Sequence, residues 1–482
     1  MTFPPSTVVT SRVATPGSGA ARIRPGSGAF GILLVYLFIL FSRIEESFTY
    51  STGLSLHVGL ILSWCGALAA LATGKFLRAA GSRMAFLLFA LTGWLMLATL
   101  FSTWKAGSVM LLRNYWISAL LTSLLVISLT ESMEQLRKLL YTLAFSLVPI
   151  LFACSLASES VLDRLQVSFG NLSNPNDLAF VILLLVPFAG LVFNNEPWGW
   201  KRVAAAIILV WSLAIVFRTG SRGGLLVLLF LAVALFVAGS AATRVKMIVG
   251  SVLVVGLAAA LLPSMSDRLM LLFSEKNVNS LTDEERVALD SSAARKQLFW
   301  DSLTLSLHNP AFGVGPGVFM AAMADKQKAQ GLQQVWRETH NTYTQLSSEA
   351  GFPALTLFLS ALIYCMASMW RLRRQTRGQP RFVLIRRSAS ALLLSLPCFA
   401  IGACFGSYAY NFYFTALAGL SQACYLAAQR EMATAPVVVS ASTPGRVVAR
   451  APLATPASST GQLRKLESTQ NVWNRRIPQR PS

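Results

Sequence analysis

"TGSRGGLLVLLFLAVALFVA", residues 219–238, decides the fold class. No polar side chain interrupts it from Leu225 to Ala238. Its apolar residues are continuous rather than alternating, which suits a helix apolar on all sides and not a barrel strand. A run near twenty residues crosses about 30 Å of hydrocarbon as a helix. Similar runs recur outward in both directions. We place spans at 29–43, 53–73, 84–101, 114–130, 139–157, 177–194, 203–217, 222–239, 245–263, 353–370, 388–406 and 408–428. Only helices and closed barrels satisfy backbone polar groups in lipid, so the expectation is an all-α polytopic membrane protein of about 12 transmembrane helices.

The composition agrees. Hydrophobic residues make up 54% and charged residues 13%, against about 25% charged in soluble domains. The net charge is +21. With the N-terminus placed in the cytoplasm, 27 of the 41 Lys and Arg residues fall on that side. They include "WRLRRQTRGQPRFVLIRR" at 370–387, with seven arginines. The basic excess then reads as the positive-inside pattern, and no nucleic-acid partner is expected. Both termini are cytoplasmic in this arrangement, and one large extracytoplasmic loop, 264–349, lies between spans 9 and 10.

Outside the spans, residues 1–28 and 431–482 are rich in Ser, Thr, Pro, Ala and scattered Arg and read as disordered basic tails. No cleavable signal peptide is apparent, because the first apolar run starts late and leads into further spans. The remaining chain divides into spans 1–9 (29–263), the loop domain (264–349) and spans 10–12 (350–430). All six cysteines, Cys65, Cys154, Cys365, Cys398, Cys404 and Cys424, fall inside spans. They suggest small buried side chains rather than a disulfide framework or a zinc site.

Within the loop, Thr282 and Glu285 fit a capping box opening a short helix. A second helix is expected over about 292–307, with Arg295, Phe299, Leu303 and Leu307 along one packing stripe. Pro310 ends it. Gly313, Gly315 and Gly317 follow in "FGVGPGVF"; no strand precedes them, so a tight structural turn is expected rather than a nucleotide loop.

Several polar groups gather at the outer ends of spans. "FRTGSRGG", 217–224, places Arg218, Ser221 and Arg222 where a span begins. A helix N-terminus offers free N–H groups, and an added guanidinium makes a site suited to phosphate. Arg218 fits an interfacial arginine reaching for headgroups. Arg222, just inside the apolar boundary, fits a functional charge. "GNLSNPNDLAF", 170–180, brings Asn174, Asn176 and Asp177, as turn and cap residues or as partners of sugar hydroxyls. "ETHNTYTQLSSEAGFP", 338–353, holds Glu338, His340, Asn341, Tyr343, Gln345 and Glu349 at the lip of a span. Histidine titrates near neutrality and can act as a general base; a lip histidine satisfied by headgroups or backbone is the other reading. Glu338 is a rival base and Glu349 a weaker one. His57 reads as packing inside span 2, and His308 as a partner for a helix C-terminus.

In order, "NPNDLAF", "TGSRGGLL", "RKQLFW … NPAFGVGPGVF" and "THNTYTQLSSEAGFP" resemble the O-antigen ligase family, which includes Wzy-type polymerases and bacterial protein O-oligosaccharyltransferases. The resemblance covers roughly 170–370. It implies a glycosyltransferase-C-like fold in the bacterial inner membrane and a metal-independent glycosyltransferase with no cofactor. The implied donor is a glycan on undecaprenyl diphosphate. The implied acceptor is a hydroxyl on lipid A–core, on another glycan or on a protein. Arg222 and Arg295 are implied to hold the diphosphate and His340 to assist the acceptor, on the periplasmic face. A Wzy-type polymerase shares this donor chemistry. A transporter or flippase without chemistry is the alternative of another class; against it, few ionisable residues lie mid-span and no internal repeat is evident.

Overall fold

The computed structural model describes residues 27–434 apart from 157, 162–163, 169, 243, 246, 249 and 251–282. Span 9, the Thr282 cap and both tails lie outside them, save for a few residues at their edges. Fifteen helices of six residues or more lie wholly among the described residues, in chain order. They are α1 (Ser27–Ser42), α2 (Ile44–Thr52), α3 (Val58–Ala72), α4 (Lys75–Ala80), α5 (Arg83–Leu100), α6 (Lys105–Leu129), α7 (Met133–Leu156) and α8 (Pro175–Asn195). Then come α9 (Trp200–Arg218), α10 (Arg222–Ala238), α11 (Asp283–His308), α12 (Phe319–Ala329), α13 (Thr342–Gln375), α14 (Val383–Gly402) and α15 (Phe412–Thr434).

Among the described residues, seven helices are long and apolar enough to cross a membrane: α5 to α9, α13, and α14 with its leading turn from Pro380. The pair Gly28–Ser42 and Ile44–Thr52, bent by 62°, makes up to eight. This is a multi-pass helical membrane protein. α3 and α10 are apolar but only 15 and 17 residues long. α15 has 23 residues and is buried along most of its length. One feature departs from all-α: β1 (Ser158–Val161) and β2 (Arg164–Val167) form an antiparallel hairpin pairing Ser158 with Val167 and Val161 with Arg164.

Packing follows membrane rules, with small residues and polar side chains at helix contacts. α15 comes so close to α6 at Gly419 that a Cβ would lie 2.9 Å from the Ser123 carbonyl oxygen. Trp116 Nε1 donates to Thr92 Oγ1 at 2.9 Å, and Tyr36 shares a 2.6 Å hydrogen bond with Thr122. α6 starts at Lys105, nine residues before the apolar run suggests, through a π-helical turn over Leu112–Trp116.

Several expectations are corrected. The loop carries one continuous helix, α11, over 283–308 instead of two, since no Gly or Pro interrupts it. Its packing stripe is rotated: Phe299 and Leu307 are exposed, while Ser302 and Ser306 are fully buried. Ser306 bonds to Ser347 of α13 at 2.8 Å. Small serines permit close helix contact where bulky residues would hold the helices apart. Arg295 remains on the buried side, half-covered. His57 is not packed; it is exposed at the N-cap of α3, and the Glu45 carboxylate takes the first N–H groups of that helix. Cys65 and Cys404 are exposed, while the other four cysteines are buried. His308 bonds to the Thr304 carbonyl in the last turn of α11, as expected.

Candidate active site

Five pieces of chain meet at one end of the bundle: the starts of α8, α10 and α13, the middle of α11, and the turn 403–411. Asn174 caps α8, accepting from the Asn176 backbone N–H at 2.9 Å. Ser221 caps α10, accepting from Gly224 N at 3.1 Å. The two caps are tied together, because the Ser221 hydroxyl donates to Asn176 Oδ1 at 2.9 Å. Arg164 of the hairpin joins them, donating to Asn176 Oδ1 and to the Thr219 carbonyl. Asn174, Asn176 and Ser221 are therefore occupied in holding two helix starts side by side. Arg222, the first residue of α10, projects exposed from that junction.

The polar lip 338–345 has a structural cause. Asn341 caps α13, accepting from Tyr343 N and Thr344 N at 3.0 and 3.1 Å. Thr342 N donates to the Ala403 carbonyl at 2.8 Å, and its hydroxyl to the Gly406 carbonyl at 2.7 Å. Ala409 N donates to Gln345 Oε1 at 3.2 Å. Tyr343 donates its hydroxyl to the Ala400 carbonyl. The lip thus laces the start of α13 to the turn 403–411. Its backbone is fixed while His340 stays half-buried, its own N–H donating to Ser407 Oγ at 3.1 Å.

The charges around this junction act on one another. Burial holds the Arg295 guanidinium below its ordinary value; Asp177 opposes this and Arg222 adds to it. Burial likewise lowers His340, and the cations Arg295 and Arg337 lower it further. The imidazole is therefore neutral near pH 7 and able to accept a proton. Burial raises Glu338, with the Ser407 hydroxyl opposing. Arg222, Arg295 and His340 are thus gathered at one site. Arg218 stands apart: it is exposed at the end of α9, and its charge bears on Cys154. Residues 207–359, which contain all three gathered residues, match the family model described as O-antigen ligase. This segment belongs to the O-antigen ligase family. That family comprises glycosyltransferase-like membrane enzymes. No curated protein matches the chain.

Two further residues of the candidate site lie outside the matched segment. Tyr408 donates its hydroxyl to Asp177 Oδ1 at 2.5 Å and stacks on Phe180, with ring centroids 4.1 Å apart. Burial, then the Asp177 charge, pushes Tyr408 well above its ordinary value, so it stays a proton donor. Asp177 is the carboxylate nearest in effect to Arg295. The sequence leaves Asp177 a turn and cap residue or a partner of sugar hydroxyls, and its partner Tyr408 lies in "GSYAYN", 406–411. Its two tyrosines in a six-residue turn were the available signal.

Glu349, a weaker rival base by sequence, is buried and accepts from Gly317 N and Phe319 N at 3.0 and 3.1 Å. It pins the glycine turn to α13, and the turn is structural as expected. Gly313, Gly315 and Gly317 all have positive φ. A Cβ on Gly315 would lie 2.0 Å from Ser102 Oγ. Among the described residues, no cluster of His, Cys, Asp and Glu has the arrangement of a metal site.

Proposed function

We propose that the ligase domain transfers a glycan from undecaprenyl diphosphate to an acceptor hydroxyl, lipid A–core or similar, on the periplasmic face of the inner membrane. One observation carries this reading: two arginines that repel each other and a neutral histidine meet at one end of the bundle. Neither Arg222 nor Arg295 has an ion pair among the described residues, and the one carboxylate that opposes burial at Arg295 is engaged by Tyr408. A diphosphate satisfies both guanidiniums at once, as a bidentate anion of high charge.

In this reading the acceptor oxygen attacks the anomeric carbon as the carbon–oxygen bond to the diphosphate breaks. The neutral His340 ring accepts the acceptor's proton. Arg222 and Arg295 hold the charge that builds on the departing diphosphate. Losing one such contact costs roughly 3 kcal/mol, or ~10²-fold in rate. A positioned base contributes roughly 10²–10⁴-fold. Twelve spans, cytoplasmic termini and a periplasmic loop between spans 9 and 10 complete the arrangement.

The test is a strain lacking the protein, complemented by variants. Arg222→Ala, Arg295→Ala and His340→Ala each abolish transfer while the protein inserts normally; normal surface glycan from all three overturns the reading. The lipid-linked glycans of the null strain, sized by mass spectrometry, separate two acceptors. Long chains left on the carrier mean ligation to lipid A–core or a similar acceptor. Single repeat units mean a Wzy-type polymerase.

A further inference from the structure

A second, unassigned feature runs along the bundle, from Phe217 and Leu225 near the site end to Arg373, Arg386 and Arg387 at the opposite end. α9 and α10 share the turn at Thr219–Ser221, yet a cavity of about 950 Å³ opens between them, with α8 and α14 also in its wall. That volume lies at the upper end of ordinary ligand sites, roughly 300–1,000 Å³. Its wall is mostly hydrocarbon, including Leu183, Val186, Leu213, Leu228 and Leu235. The Ser212 hydroxyl in that wall is buried and has no hydrogen-bond partner among the described residues.

The wall also holds three arginines, Arg373 of α13 and Arg386 and Arg387 of α14, and, among the described residues, no Asp or Glu. Arg373 and Arg386 are half-buried. Arg387 donates to Asn195 Oδ1 at 2.9 Å, at the last residue of α8. Asp177 lies in the first turn of that helix, about 27 Å away at 1.5 Å per residue. The arginines therefore stand at the membrane surface opposite Arg222, Arg295 and His340. An apolar slot ending in guanidiniums that have no ion pair among the described residues matches a molecule with hydrocarbon chains and an anionic head.

We infer that this cavity binds one anionic phospholipid, its phosphate on Arg373, Arg386 and Arg387 and its acyl chains between α9 and α10. On the proposed function, a membrane phospholipid is preferred to a polyprenyl phosphate because the arginines lining the cavity stand at the end away from the donor site. The positive-inside rule alone does not explain the cluster's placement. Arg374 and Arg377 belong to the same basic segment, are exposed and do not line the cavity.

The full-length protein is purified in mild detergent, washed free of loose lipid and examined by native mass spectrometry. Phosphatidylglycerol, phosphatidylethanolamine and undecaprenyl phosphate are then added back separately and in competition. The expected result is one phosphatidylglycerol per chain, retained over phosphatidylethanolamine. The double variant Arg373→Gln/Arg386→Gln lowers retention roughly tenfold or more, and Arg374→Gln/Arg377→Gln leaves it unchanged. Leu228→Trp, which fills the cavity with every arginine in place, also lowers it. Equal retention of phosphatidylethanolamine, equal loss in the control pair, displacement by undecaprenyl phosphate, or no retained lipid overturns the assignment. None of these readouts depends on what the site at the other end transfers.

Discussion

His340 is one of three non-glycine residues with positive φ among those described, at 51°. A left-handed conformation costs a non-glycine residue roughly 1–2 kcal/mol. Here the lacing of Thr339, Thr342 and Ser407 holds it in place. The ring is kept neutral by burial first and by Arg295 and Arg337 second. A base works only unprotonated, so transfer falls as pH drops through the His340 pKa. That pKa lies below the ordinary 6.5, so the acid limb of a pH–rate profile appears below 6.5. Arg337→Gln removes a repelling cation and moves the limb to higher pH, with the rate at pH 8 unchanged. An unmoved limb would count against His340 as the titrating base. Arg222→Lys and Arg295→Lys keep the charge but lose the planar fork, so each leaves little transfer. Lysine variants with normal in vitro turnover would remove bidentate binding from the mechanism.

At the scale of elements, α13 shows what local sequence achieves. Gly351 has φ 80° and ψ 173° and breaks the 34-residue helix. Pro353 has no N–H, which leaves the Glu349 carbonyl free. Gly315 N takes it at 2.9 Å, and Val314 N takes the Ser348 carbonyl at 2.9 Å. Phe352 N donates to the Pro310 carbonyl at 2.9 Å. The glycine turn thus completes a helix that its own residues leave incomplete. A Cβ at Gly351 would lie 1.9 Å from the Ala311 carbonyl oxygen, so Gly351→Ala destabilises by several kcal/mol, on the order of 3 or more. The readout is loss of monodisperse protein and a lowered Tm in detergent. Pro353→Ala, which in an ordinary helix interior would stabilise, here lowers Tm slightly because the new N–H competes for the Glu349 carbonyl. A Tm rise of several degrees would sink that account. Legibility divides along the same lines. Apolar runs located the long helices, because spanning helices need continuous hydrocarbon. Caps such as Asn174 and Ser221 and the glycine turn were readable because their chemistry is local. The serine face of α11 was not, because small-residue contact depends on the partner helix. The Asp177–Tyr408 pair, 231 residues apart, was invisible for the same reason.

Over the whole molecule, the polar contacts near the helix ends sort into two sets. At the site end are Thr103 with Val314, Arg43 with Tyr413, Ser221 with Asn176, and Thr342 with Ala403 and Gly406. At the other end are Lys75 with Glu131, Tyr141 with Glu196, Arg387 with Asn195, and Arg430 with the Glu131 carbonyl. Each set joins turns and helix ends that one alternating path through the bundle would bring to one surface. Basic residues crowd the second set, and by the positive-inside rule this supports the proposed orientation, with that set cytoplasmic and the site outside. The expected outcome is testable by cysteine labelling. Cys65 and Cys404 are exposed and are first replaced by serine. Ser55, between α2 and α3, and Arg377, between α13 and α14, are both exposed. Ser55→Cys then reacts with a membrane-impermeant maleimide in intact spheroplasts. Arg377→Cys reacts only after lysis. Reversed labelling would put His340 and both site arginines in the cytoplasm, where a donor glycan facing the periplasm cannot reach them, and the proposed reaction would fall with the topology.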